Sequence, residues 1–347
     1  MRRVGAVAAG VVAVLGVVAA VLRATPWPAV MVIRRVFEKG ARETIDEMAP
    51  YVPDAEFTVR RDIRYGDAGF TTTLDVFSLA RAADDREPRP AVVWIHGGAW
   101  ISGSKIDVEP YLELLAADGY VTVGLDYTIA PEAVYPVALT QLNRALGYLV
   151  EHADEFGIDP TRIVLAGDSA GAQLASQLAI LVTNPQYARL VGIVPALDPS
   201  RLSGVVLHCG LYDLQAMANA TGIIGWGFKT ALWAYTGHKN WSETPAGATM
   251  STIDFVTGDL PPVFVSGGNG DGLTHIQSVP LAERMRAAGV DVTSLFWPSD
   301  HKPALPHEYQ FHLDFDEAHQ ALDRTREFLG RVTAPTPPGP TPPGPTE

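Results

Sequence analysis

The 347-residue chain predicts an α/β protein, a mostly parallel sheet with helices on both faces. Three observations carry this. From about residue 56 onward, short β-branched runs alternate with segments of helical periodicity, the pattern of βαβ units. One run ends in His96-Gly97-Gly98. Another leads through Gly167 to Gly171 directly into a helix. In open parallel sheets such strand ends are where sites assemble.

Each element has its own signal. Residues 91–95 (AVVWI) are apolar throughout, as a strand covered on both faces must be. Residues 111–118 read as helix and 120–125 (YVTVGL) as the next strand. Over 140–156 apolar residues recur at Leu142, Ala145, Leu146, Leu149 and Val150, one face of a helix. Residues 162–166 (RIVLA) form a strand and 172–181 a helix. Residues 204–208 (GVVLH) and 262–266 (PVFVS) are strands, 281–288 a helix, 292–297 a strand and 315–332 a closing helix. Residues 214–254 break the alternation. An insertion of that length, rich in Trp, Phe, Gly and Ala, reads as a lid.

Composition narrows the function. Hydrophobic residues make up 47% and charged residues 19%, enough for a large core and too apolar for global disorder. A net charge of −13 argues against nucleic acid as a partner, because phosphate binding needs a basic face. The first 40 residues hold six basic groups and one acid, Glu38, which leaves −18 on the remainder. Cys209 is the only cysteine, so an intrachain disulfide and a multi-cysteine metal cluster are both excluded.

The termini differ from the body. Residues 4–22 are an uncharged apolar run of 19 residues between Arg2/Arg3 and Arg23. That length spans a bilayer as a helix. A signal peptide cleaved near Val18-Ala19-Ala20 and a buried helix are the competing readings. Bases on both sides leave the orientation open, a cytoplasmic-facing one included. Residues 29–39, apolar with clustered bases, suit either a membrane surface or packing on the body. Residues 335–347 (PTPPGPTPPGPTE) read as an extended, disordered tail. The division is therefore 1–24 as anchor or signal, 25–55 as linker or cap helix, 56–332 as the body and 333–347 as tail. The expected location is the cell envelope, anchored or exported.

The motifs specify acyl-transfer chemistry. Gly167-Asp168-Ser169-Ala170-Gly171 matches G-x-S-x-G between a strand and a helix. There a strained turn presents the Ser169 hydroxyl above the sheet, and the glycines let the backbones pass. Gly97, Gly98 and Ala170 are the candidate amide donors to an oxyanion. His96 reads as a brace of its loop, and Trp100 as packing or a pocket wall. The acid should follow the serine and precede the histidine. Asp271, in a glycine-lined loop after the 262–266 strand, is the candidate, with Asp213 as competitor. His307 is the candidate base, with His301, His275 and His312 as alternatives. No metal or organic cofactor is implied.

The chain resembles the hormone-sensitive-lipase-like esterases and lipases of the α/β-hydrolase fold. The resemblance rests on HGGAW at 96–100, LDYTIAPEAVYP at 125–136, GDSAG at 167–171, the Asp271 loop and LPHEY at 305–309, across about residues 60–330. It implies Ser169, Asp271 and His307 as a catalytic triad, and Gly97, Gly98 and Ala170 as the oxyanion hole. It also implies a small-molecule carboxylic ester as substrate, and a cap built from about 214–254 with part of 25–55. Ala99 departs from the family pattern, standing where many members carry a third glycine. An amidase or deacetylase on the same triad, and a non-catalytic binding module, are the alternatives.

Overall fold

A computed structural model of the chain describes residues 23–66, 72–80 and 87–335. The proposed membrane-spanning or signal run (residues 4–22) and nearly all of the proline-rich tail lie outside the described residues. Among the described residues no helix is long and apolar enough to cross a membrane.

The sheet has eight strands: β1 (Phe57–Arg64), β2 (Thr73–Leu79), β3 (Arg89–Ile95), β4 (Val121–Leu125), β5 (Ile158–Asp168), β6 (Leu202–His208), β7 (Val263–Gly267) and β8 (Val292–Phe296). Their spatial order is β1-β2-β4-β3-β5-β6-β7-β8. β1 pairs antiparallel with β2, and β2 antiparallel with β4; every later pairing is parallel. Sequence periodicity did not single out β1 or β2. β1 (FTVRRDIR) is an edge strand whose charges face solvent, and such a strand lacks the unbroken apolar run of its buried neighbours.

Among the described residues, seven helices of eight or more residues flank the sheet: α1 (Trp27–Met48), α2 (Glu109–Ala117), α3 (Val137–Glu151), α4 (Ala170–Thr183), α5 (Gly222–Thr236), α6 (Val279–Ala287) and α7 (Asp316–Val332). The two-residue period of β3 divides the core. Ala91, Val93 and Ile95 face a layer with Leu142 and Leu146 of α3 and Leu174 and Leu178 of α4. Val92 and Trp94 face the opposite layer, with Tyr111 and Leu115 of α2 and Phe328 and Leu329 of α7. α4 is buried along its whole length. Its sequence is accordingly mostly apolar, and its buried Gln173, Ser176 and Gln177 are hydrogen-bonded.

Register brings the loops of the site together. Ile95 pairs with Gly167, Gly167 with Leu207, and Leu207 with Val265. The segments that leave these strands therefore emerge side by side at one sheet edge. The insertion carries α5 and shorter helices at Leu214–Met217 and Pro245–Met250, without a strand. α1 is held by Arg34, whose guanidinium donates to the carbonyls of Ile101 and Ala130 and forks onto Glu132. Ile101 lies in the 96–103 loop, so this one buried arginine fastens α1 to the wall of the site.

Candidate active site

Ser169 caps α4 immediately after β5, with φ of 51° and ψ of −118°. A non-glycine residue held there is strained, and surrounding structure must fix it. Two features do so. The Ser169 amide donates to the His208 carbonyl at 2.9 Å. Gly171 lies so close to β3 that a Cβ would overlap the Ile95 carbonyl oxygen. The elbow thus tolerates only glycine where α4 crosses β3.

Three predicted residues meet in a chain. Ser169 Oγ lies 2.9 Å from His307 Nε2, and His307 Nδ1 lies 2.8 Å from Asp271 Oδ2. Ser169 and Asp271 are 7% and 5% exposed. Asp271 Oδ1 accepts from the Leu273 amide at 2.9 Å, which fixes the carboxylate plane. Burial lowers the basicity of His307, but the Asp271 hydrogen bond and the charges of Glu308, Asp271 and Asp168 outweigh it. Its pKa is raised to about 9.

The rival residues lie elsewhere. Asp213 caps the short helix at Leu214–Met217 by accepting from the Ala216 amide. His301 Nε2 contacts Glu317 at 2.6 Å, and its ring packs on Trp297. His312 pairs with Glu47 of α1 at 2.9 Å. His275 is exposed. His301 and His312 each hold an acid of a neighbouring helix, α7 and α1, and neither reaches Ser169. His96 stacks on Tyr127 with centroids 4.4 Å apart, and its Nδ1 meets the Gly97 carbonyl. Trp100 is fully buried against Tyr235 and donates to Gln173.

The glycine loop differs in one respect from the sequence expectation. The Gly97 amide lies against the carboxyl of Asp168 and favours its charged form. Among the described residues, the amides of Gly98, Ala99 and Ala170 have no acceptor within the protein. Gly98 and Ala99 both adopt positive φ, 99° and 52°. Gly98 and Ala170, two of the expected donors, thus have free amides, and so does Ala99.

Sequence reasoning missed two supports. Asn269 accepts from the Leu305 amide and donates to the His301 carbonyl, clasping the acid loop to the histidine loop. Its place in a glycine-rich turn was the available signal. The second is Glu308, held at φ of 60°. Its carboxyl meets Asp168, whose other oxygen accepts from Trp94 Nε1 at 2.7 Å. Burial, followed by the Glu308 charge, pushes Asp168 well above the carboxylate range. Cys209 is fully buried, and its thiol is pushed up chiefly by burial. A buried, protonated thiol is a poor nucleophile.

A cavity of about 860 Å³ opens over Ser169 and His307. Val36 and Phe37 of α1, Ile224 and Phe228 of α5, Met217 and Phe311 supply its apolar wall. Both segments expected to form a cap therefore reach the cavity.

The BD-FAE family model matches residues 74–285. Esterase LipQ of Mycobacterium tuberculosis is 26% identical over 238 residues, 67% of this chain and 54% of that protein. Esterase LipC of the same organism is 29% identical over 230 residues, 66% of this chain and 55% of that protein. The chain thus spans about half the length of these relatives. Among solved structures, esterase B from Lactobacillus rhamnosis superposes with a TM-score of 0.74 at 23% identity, covering 88% of this chain and 96% of that one. EstE1, a thermostable carboxylesterase from a metagenomic library, gives 0.67 at 23% identity, covering 91% and 100%. These structures share the α/β-hydrolase fold with this chain.

Proposed function

This chain belongs to the BD-FAE family, within the hormone-sensitive-lipase-like α/β-hydrolase esterases, and from that premise we propose that it hydrolyses carboxylic esters with Ser169 as nucleophile, His307 as base and Asp271 as the orienting acid. The observation that carries the reading is the contact chain from Ser169 Oγ through His307 to Asp271, 2.9 and 2.8 Å.

Neutral His307, with its Nδ1–H donated to Asp271, accepts the Ser169 proton at Nε2 as Oγ attacks the ester carbonyl. The oxyanion receives N–H donors from Gly98, Ala99 and Ala170. His307 returns the proton to the leaving alkoxide, and the C–O bond breaks to leave an acyl-enzyme. Water then attacks with His307 again as base, and the carboxylic acid departs. Asp271 stays ionised and holds the imidazole tautomer. Gly97 acts one step back, by fixing Asp168.

The cavity supports an uncharged substrate of short to medium acyl length. Its wall is apolar, while Glu43, Glu47, Asp107 and Glu308 also border it and would repel an anionic acyl chain. Esterase B has been solved with a tributyrin phosphonate inhibitor, which fits the same substrate range. α1 and residues 214–254 act together as the cap. The apolar run at 4–22 supports a location at a membrane, by anchor or export.

The test is hydrolysis of p-nitrophenyl esters across acyl lengths by the wild type and Ser169→Ala. The wild type should turn over short esters fastest and become labelled by a fluorophosphonate at Ser169. Equal rates in the two proteins, or labelling elsewhere, would reject the mechanism.

A further inference from the structure

The described surface carries an apolar region at odds with a −13 protein. On α1, Trp27, Met31, Val32 and Val36 are 42%, 43%, 60% and 63% exposed. At the start of α5, Ile223, Ile224 and Trp226 are 82%, 70% and 49% exposed. α1 and α5 pack against each other. Side chains this large are rarely left together in water without a partner. Helical spacing puts Trp27, Met31, Arg35 and Lys39 in one i,i+4 row on α1, so exposed bases sit within the apolar stripe.

Position and charge identify what covers this face. Val36 and Ile224 belong both to it and to the wall of the cavity above Ser169. From residue 23 to 42 Glu38 is the only acid, with Glu43 next and paired to Lys39 at 2.9 Å, whereas the body is strongly acidic. Beside the face, Trp226, Trp233, Lys229 and Lys239 line an open pocket of about 460 Å³. Lys239 sits 4.4 Å above the Trp233 ring and also donates to the Arg23 carbonyl. Aromatic rings beside lysines are the composition of a headgroup-level contact. The 19-residue apolar run ends at residue 22, one position before that carbonyl. The chain therefore leads from its apolar run directly into this face.

We propose that the outer face of α1 and the start of α5 seat on an anionic phospholipid bilayer, so that the cavity mouth opens to the lipid and the substrate is an ester dissolved in the membrane. The substrate part rests on the hydrolase reading above. The seating does not, because it is a matter of surface chemistry. Apolar side chains enter the interface while Arg35, Lys229 and Lys239 meet lipid phosphates. The acidic body is held away by the same charge. An ester leaving the bilayer then passes Val36 and Ile224 without crossing water.

The experiment uses the full chain in vesicles whose acyl chains carry bromine, which quenches nearby tryptophan. Phosphatidylglycerol-rich and pure phosphatidylcholine vesicles are compared. Trp27 and Trp226 are the tryptophans at the face, so the wild type should be quenched in the anionic vesicles and less in the neutral ones. Val32→Glu/Ile223→Glu alters two exposed positions outside the cavity and should remove most of that quenching. In the same vesicles this variant should hydrolyse a bilayer-dissolved diacylglycerol about tenfold more slowly, with p-nitrophenyl butyrate turnover in solution unchanged. Equal quenching of wild type and variant, or an equal change on both substrates, overturns the proposal. A wild-type dimer in detergent that the variant dissociates assigns the face to a second copy and also overturns it. Absence of soluble-ester turnover in the wild type rejects the hydrolase reading instead, and quenching still decides the seating.

Discussion

The carboxyl of Glu308 meets the carboxyl of Asp168 beside the imidazole of His307, with Glu308 Oε1 3.8 Å from His307 Nε2. Burial, followed by the charge of Glu308, holds the buried Asp168 carboxyl well above the usual carboxylate range. The negative charge beside His307 adds to that of Asp271 in stabilising the imidazolium.

The pH profile should report this. With His307 raised to about 9, kcat/KM for a soluble ester should rise through that region. The sign follows from the chemistry: protonated His307 cannot take the Ser169 proton, so activity is lost as pH falls through its pKa. Glu308→Gln removes one of the charges that raise His307 and should move the limb down. Asp168→Asn/Glu308→Gln removes the charge and should move the limb down by about one unit or more. An unmoved limb in the double variant would refute the electrostatic role of the pair.

The two histidines should separate cleanly. His307→Gln should cut kcat by about 10⁴-fold while leaving the melting temperature close to wild type, since it removes a proton acceptor. His301→Gln should do the reverse. It strands Glu317, which is 8% exposed, and should cost about 1–2 kcal/mol in urea unfolding with turnover nearly unchanged. The contrary pattern would make His301 the base.

Arg34 fastens the cap to the glycine loop. Arg34→Ala leaves the Ile101 and Ala130 carbonyls and the Glu132 carboxylate without their donor. A loss of about 2–3 kcal/mol is expected in urea unfolding, with KM raised more than kcat is lowered. Arg34→Lys should recover less than half, because an ammonium cannot fork onto Glu132 and still reach both carbonyls.

Gly171→Ala probes the elbow. Its Cβ would strike the Ile95 carbonyl, so α4 must move away from β3. The expected cost is about 1–3 kcal/mol together with most of the activity, because Ser169 moves with the helix. Circular dichroism with denaturant and fluorophosphonate labelling would check both parts.

The buried elements were legible because burial writes itself into local sequence. β3 and β5 are covered on both faces, so AVVWI and RIVLA are unbroken apolar runs. α7 repeats Ala318, Ala321, Leu322, Thr325, Phe328 and Leu329 along its buried face. β1 and β2 were not legible in that way: β1 is an exposed edge strand that carries four charges, and β2, paired on both sides, has Thr73, Asp75 and Ser78 within its run. The triad candidates could be ranked, since each follows a strand end in a glycine- or proline-marked loop. The partners of Asp168 could not be read, because Glu308 is 140 positions away and only register brings it near.

The sequence by itself determined the alternating α/β plan, the serine turn, the glycine loop and the short list of acids and bases. These are local signals, fixed by backbone strain, periodicity and turn chemistry. Only the tertiary structure set His307, and not His301, between Ser169 and Asp271, brought the Gly97 amide against Asp168, joined Asp168 to Glu308 and set α1 beside α5 at the cavity mouth. Each of these is a contact between segments far apart in the chain. Such contacts depend on which strands pair and in what register, and no single stretch of sequence contains that information.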